Sequence, residues 1–282
     1  MRVIVAITSA ALLAGVGGAT GAVRDVPMTF SAPGGPSLAG TLTLPAGPGP
    51  HPAAVFVGGF GPSDRDGATG VFGRRAYPDW ATALARRGVA VLRYDKRGIG
   101  DSAGPDLAWL DPRPLAADAV AAVRALRARP EVAPGRLTLV GHSQGGNLAL
   151  RAAVLGAPVR AVVTLAAPGR PLGSLTQTGT RTRVLLALLV GDRTAGRLLR
   201  ADPRRDAAAV PQPVLMIHGT ADGVVPAADA RRLARARADV GAPTRVRVVA
   251  GLDHYLQDGS GRTPPGVLTL VARMARTGEL PR

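Results

Sequence analysis

The residues Gly141-His142-Ser143-Gln144-Gly145 stand between the apolar run Leu137-Thr138-Leu139-Val140 and the helix-forming stretch from Asn147 to Leu155. That order places a serine on a sharp strand-to-helix turn. A serine so held has a strained backbone, and its hydroxyl projects clear of the sheet, while the flanking glycines keep side chains out of the crowded turn. In a chain of 37 glycines the pentapeptide alone is a weak signal. Its strand–turn–helix setting makes Ser143 the candidate nucleophile of an acyl transfer.

A serine nucleophile needs a base, an acid that orients the base, and donors for the oxyanion. The chain has four histidines. His51 precedes a strand in a proline-rich loop, far from the active rim. His142 sits beside the serine with its side chain pointing elsewhere, and His218 ends a strand as a structural residue near the site. His254, in Gly251-Leu252-Asp253-His254-Tyr255, follows the last strand and is the candidate base. Asp222, in Thr220-Ala221-Asp222-Gly223, comes directly after the strand Val214 to Ile217 and is the candidate acid. A turn or helix-capping role is its bland alternative. Asp253 is a rival, but a residue adjacent to the base is badly placed to orient it. The order Ser143, Asp222, His254, each after a strand, is the nucleophile–acid–base order of a strand–elbow–helix hydrolase. The oxyanion donors expected are the backbone N–H groups of Gln144 and of Phe60, the latter in the loop Gly58-Gly59-Phe60-Gly61-Pro62.

These residues need a frame. Met28 to Ser31 and Leu38 to Leu44 read as a hairpin. Beyond Pro52 strands alternate with helices. The strands are Ala53–Val57, Val89–Tyr94, the nucleophile strand, Ala161–Leu165, Val214–Ile217 and Arg245–Val249. The helices are Asp79–Arg87, Leu115–Arg129, Asn147–Leu155, Ala227–Ala238 and Pro265–Ala275. Apolar strands separated by helices imply a doubly wound, mostly parallel sheet covered on both faces, with the ligand beyond the carboxyl ends of its strands. Residues 169–210 interrupt the alternation. Their apolar run Val184 to Val190 reads equally as a core helix or as a lid over a pocket, and is too short to cross a membrane.

The chain has 282 residues, no cysteine and a net charge of +16. Arg2, the apolar stretch Val3 to Gly18 and the small residues Thr20-Gly21-Ala22 read as an export signal over 1–22, preceding one domain over 23–282. The product expected is secreted or held in the cell envelope, without stable membrane insertion after cleavage. The absence of cysteine excludes a disulfide framework and a lipid-modified cysteine anchor. The basic charge is scattered arginine with a single lysine, Lys96, and there are only two Trp, three Tyr and four Phe. Without an aromatic stacking platform, nucleic acid is not an expected partner.

Two further motifs carry a resemblance. Gly61-Pro62-Ser63-Asp64-Arg65-Asp66 resembles a Gly-Pro-x-Asp-Arg-Asp motif, and Tyr94-Asp95-Lys96-Arg97-Gly98-Ile99-Gly100-Asp101-Ser102 resembles Tyr-Asp-x-Arg-Gly-x-Gly-x-Ser. Together with the elbow and the order of the site residues, they make nearly all of the mature chain resemble the α/β-hydrolase superfamily, within it a dienelactone-hydrolase-related group of exported serine esterases. The resemblance implies the α/β-hydrolase fold with a short lid insertion at about 169–210. It implies hydrolysis of a small-molecule carboxylic ester without metal or organic cofactor. It also implies that Asp64, Arg65, Asp95 and Arg97 brace the oxyanion loop, whose backbone is Gly58, Gly59 and Gly61. The chain departs from the pattern in having Gly58 where histidine is usual and Asp253 where asparagine is common. Dienelactone hydrolase itself uses a cysteine nucleophile, which this chain lacks. The same three site residues could serve a peptidase, a thioesterase or an acyltransferase, and the scaffold could be kept for binding alone.

Overall fold

The structure is a computed structural model that describes residues 22–68, 73–175 and 180–281, so the signal expected over 1–22 lies outside the described residues apart from Ala22. Eight strands form one sheet in the order β1-β2-β4-β3-β5-β6-β7-β8. They are β1 (Arg24–Phe30), β2 (Leu38–Leu44), β3 (His51–Val57), β4 (Ala90–Tyr94), β5 (Val132–His142), β6 (Ala161–Leu165), β7 (Val214–Gly219) and β8 (Thr244–Val249). The hairpin β1–β2 pairs antiparallel, with Met28 opposite Gly40, and β2 pairs antiparallel with β4. All remaining pairs are parallel. The central strands are runs of Ala, Val, Leu and Ile because both their faces are covered: β4, β6 and β7 are buried throughout. The edge strand β8 alternates Arg245 and Arg247 with valines.

Helices α1 (Ala76–Ala85) and α9 (Pro265–Thr277) cover one face, packing with Phe56, Val140, Val163 and Ile217. Helices α2 (Pro112–Arg127), α3 (Gln144–Val154) and α8 (Ala228–Ala238) cover the other, around Val55, Leu92, Leu139 and Met216. Three helices, α1, α2 and α3, each start three residues earlier than the apolar spacing suggests. In α2, Asp111 accepts the Arg113 N–H at 3.1 Å and Pro112 occupies the first helical position, a cap-plus-proline start outside the apolar periodicity. In α3 the helix begins on the residue after Ser143.

Residues 169–210 form α4 (Leu172–Leu175), α5 (Thr180–Val190), α6 (Asp192–Arg200) and α7 (Pro203–Ala209) between β6 and β7. The apolar run is not a core helix, since Val184, Leu185, Leu188 and Leu189 are 53–79% exposed. The far end of the insertion is fixed by the fully buried Arg237 of α8, which donates to the carbonyls of Ala207, Val210, Gln212 and Pro243 at 2.7–3.1 Å. Among the described residues no helix is long and apolar enough to cross a membrane.

After β3 the chain adds β4 on one side, then returns to place β5 on the other. The winding direction therefore reverses at β3, and the carboxyl ends of β3 and β5 flank a crevice. The glycine loop leaves one of these ends and the Ser143 turn leaves the other.

Candidate active site

Ser143 has φ +53° and ψ −127°, a backbone conformation costly for a residue with a side chain. Neighbouring packing enforces it. The Ser143 N–H donates to the Leu165 carbonyl at 2.8 Å, and its carbonyl accepts the Gly146 N–H at 2.9 Å. A Cβ on Gly141 would lie 2.1 Å from the Gly145 carbonyl oxygen, and one on Gly145 would lie 2.1 Å from that of Val57. The turn therefore presses β5, α3 and the end of β3 into backbone contact that only glycine permits.

The turn delivers the Ser143 hydroxyl to His254, with Oγ 3.0 Å from Nε2. On the other side of the ring, Nδ1 lies 2.8 Å from Asp222 Oδ2. An ionised carboxylate only accepts, so Nδ1 carries the proton and Nε2 is the lone-pair nitrogen facing the serine. Asp222 Oδ1 accepts the N–H groups of Val224 and Val225 at 2.9 and 2.8 Å, and His218 Nε2 approaches Oδ2 at 3.1 Å while donating to the Val225 carbonyl. Burial would raise this carboxyl, but the hydrogen bonds from His218 and His254 outweigh it and hold Asp222 well below the usual carboxylate range. Both its turn-forming and its imidazole-facing contacts are thus made, one by each oxygen. Asp253 faces away: it accepts the N–H groups of Tyr255 and Gln257 and pairs with Arg74 at 3.0 Å.

His142 connects the two halves of the site, a part that its position in the pentapeptide does not reveal. Its Nε2 lies 2.8 Å from the His254 carbonyl, which can only accept, so Nε2 bears the proton. Nδ1 then accepts the Tyr77 hydroxyl at 3.0 Å, and that hydroxyl oxygen accepts the Gly59 N–H at 3.2 Å. Burial, reinforced by the neighbouring His254, pushes the His142 pKa down to about 3, so the ring stays neutral and the relay keeps its direction. A chain of three hydrogen bonds therefore ties the glycine loop to the base loop.

The glycine loop is held from below by Lys96, whose fully buried ammonium donates to the carbonyls of Gly59 and, at 3.2 Å, Gly61. These carbonyls flank Phe60, whose N–H has no hydrogen-bond partner among the described residues. Gln144 opens α3, and the first N–H of a helix has no partner within it. Burial lowers the Lys96 pKa to about 7.

Of the four residues expected to brace the loop, Asp64, Arg65 and Asp95 lie together beside it. Arg65 binds Asp95 through its N–H (2.7 Å) and its guanidinium, and Asp64 caps the following turn by accepting the Ala68 N–H at 2.8 Å. Arg97 does not brace the loop. Its guanidinium reaches Asp118 of α2 at 2.6 and 2.8 Å, because the chain turns at Gly98 and carries the side chain to the helix face. Lys96, not among the expected braces, is the neighbour that contacts the loop carbonyls. The signal for it was its being the one lysine in an arginine-rich chain, inside a motif. Gly58 packs against Ser63 and Tyr77, with the space for its missing Cβ 3.4 Å from Ser63 Oγ, so Tyr77 and Ser63 occupy the side of the loop where a larger residue would project. Among the described residues no group of three or more His, Cys, Asp or Glu could hold a metal ion.

Sheet order and elbow define the class of fold: the chain has the α/β-hydrolase fold. The sequence model of a family described as serine aminopeptidase, S33, matches residues 73–192. Esterase EstD of Thermotoga maritima is 36% identical over 135 residues, covering 48% of this chain and 31% of that protein. The polyketide transferase grgF of a Penicillium species is 34% identical over 126 residues, 45% of this chain and 41% of the other. The chain thus spans less than half the length of these two curated relatives. Among solved structures, the Pyrococcus furiosus esterase Pf2001 superposes with a TM-score of 0.69 at 16% identity, over 91% of this chain and 94% of that one.

Proposed function

We propose that the chain is an exported serine hydrolase that cleaves carboxylic esters through an acyl-enzyme. The observation that carries this is the continuous relay from Ser143 Oγ to His254 Nε2 at 3.0 Å and from His254 Nδ1 to Asp222 at 2.8 Å. Ser143 Oγ attacks the ester carbonyl as its proton passes to His254 Nε2. Asp222 holds the resulting imidazolium. The carbonyl oxygen takes the negative charge in front of the Gln144 and Phe60 N–H groups, neither of which has a competing acceptor among the described residues. Collapse of the tetrahedral intermediate breaks the bond to the alcohol, which leaves with the proton from His254. Water, deprotonated by the same nitrogen, then releases the acid and restores the serine.

Similarity to proteins named esterases supports the ester as substrate. The helices over residues 169–210 are the lid in this reading, and the segment 1–22 is its cleaved export signal. The test is fluorophosphonate labelling and hydrolysis of short-chain nitrophenyl esters by the wild type and Ser143→Ala, beside matched amides and thioesters. Labelling and ester turnover lost in Ser143→Ala are the expected result. Equal turnover by both proteins sinks the assignment, and faster turnover of amide or thioester moves it to a peptidase or thioesterase.

A further inference from the structure

A cavity of about 670 Å³ opens beside Gln144, the residue after Ser143, between α3 and the helices α6 and α7. Its volume lies within the range of small-molecule sites. Gln144 and Asn147, one turn apart on α3, line it, and each keeps a buried side-chain amide oxygen without a partner among the described residues. Leu148 and Leu198 supply apolar wall.

The rest of the lining is basic. Its two acids are already engaged, Asp206 with Arg151 at 2.8 Å and Asp202 with Arg204 at 2.7 Å. Two more lining arginines are paired outward, Arg170 with Asp229 and Arg197 with Asp111. Three guanidinium groups remain, those of Arg113, Arg193 and Arg200, with no carboxylate partner among the described residues, and a fourth, Arg205, shares Asp202 with Arg204. An arginine-rich chain carries unpaired arginines on convex surfaces too, where water screens each one separately. Here the exposed guanidinium groups gather around one concave wall, where their fields add and favour an anion. A guanidinium matches a carboxylate in shape as well as charge, by paired N–H donors.

We propose that this cavity receives an anionic end of the substrate, so that the preferred ester carries a carboxylate on its acyl chain, several carbons from the reacting carbonyl. The inference rests on the ester-hydrolase reading above. It names what that reading leaves open, the acyl group that Ser143 takes.

The test compares monomethyl adipate with methyl hexanoate, which differ by the terminal carboxylate, with acid release followed at constant pH in low salt. Hydrolysis of the first gives adipate and methanol. The wild type is expected to show kcat/KM about tenfold higher for monomethyl adipate. Arg200→Gln with Arg205→Gln should collapse that ratio about tenfold, as should high salt. The control pair Arg273→Gln and Arg276→Gln removes the same charge from α9, on the other face of the sheet, and should leave the ratio intact. Monomethyl adipate is also titrated calorimetrically into Ser143→Ala, where binding should weaken at least fivefold on adding the Arg200 and Arg205 changes. Turnover of methyl hexanoate as fast as monomethyl adipate overturns the anionic site and leaves the esterase reading standing. Arginine-dependent binding by Ser143→Ala with no turnover of either ester by the wild type supports the site and overturns the esterase. Absence of both binding and turnover overturns both.

Discussion

At the scale of single residues, the positions proposed to react and those that hold them in register differ in how openly the chain displays them. Ser143, Asp222 and His254 stand in local contexts, each directly after a strand, that follow from nearest-neighbour reasoning. Tyr77 and His142 do not. They meet across 65 residues of chain, and their value lies in a hydroxyl that accepts from Gly59 and donates to His142. Tyr77→Phe keeps the ring and removes this junction. It is expected to lower kcat for an ester about tenfold with KM within about twofold, since displaced donors act on the transition state more than on binding. The loss of a buried partner should also destabilise by about 1–2 kcal/mol in denaturant titrations. An unchanged kcat would show that the glycine loop keeps its place without the relay.

Among the elements, the helical insertion departs most from what its composition suggests. A leucine-rich run is ordinarily core, yet α5 turns Val184, Leu185, Leu188 and Leu189 outward. Periodicity reports that a helix has an apolar face and says nothing about whether another element covers it. Exposed leucines contribute little to folding, so Leu188→Gln with Leu189→Gln should shift stability by no more than about 0.5 kcal/mol for each change. Buried leucines at those positions would lose about 2–5 kcal/mol each on truncation to Ala, and a loss on that scale in thermal or denaturant unfolding would mean that α5 packs inward. The strands were more legible. β6 falls on the residues its apolar run marks, while α2 begins three residues before its apolar face because Asp111 and Pro112 start a helix by capping.

For the whole molecule, the glycine loop rests on the buried Lys96, which has no ion-pair partner among the described residues, and folding must bear the loss of its hydration. Lys96 has its pKa lowered from the ordinary 10.5 to about 7 by burial. Between those values the unfolded chain binds more protons than the folded one, so the stability contributed by this position rises with pH through the window. Below about pH 7 the penalty is fully present. Lys96→Met removes the titration. The stability difference, wild type minus Lys96→Met, should therefore climb from pH 7 to pH 10 in urea titrations, and a flat difference would mean that the amine is solvated in the folded state. Activity of the variant should fall as well, because the carbonyls of Gly59 and Gly61 lose the donor that fixes them on either side of Phe60.

What the sequence determined by itself is what short-range chemistry encodes. Alternating apolar strands and helices dictate a parallel sheet, glycines at 141 and 145 allow the turn that strains Ser143, and the positions of Asp222 and His254 after their strands set the order of the relay. Tertiary structure alone decided which neighbours share a task. It gave the imidazole to Asp222 and Asp253 to its own turn. It sent Arg97 to Asp118 and brought Lys96 under the glycine loop. It left Leu185, Leu188 and Leu189 of α5 outside, and it gathered arginines from four helices around one cavity. The physical reason is common to all of these. A side chain's type fixes what it can donate, accept or exclude, whereas its partner is fixed by the direction it leaves the backbone and by segments far along the chain that the sheet order brings beside it.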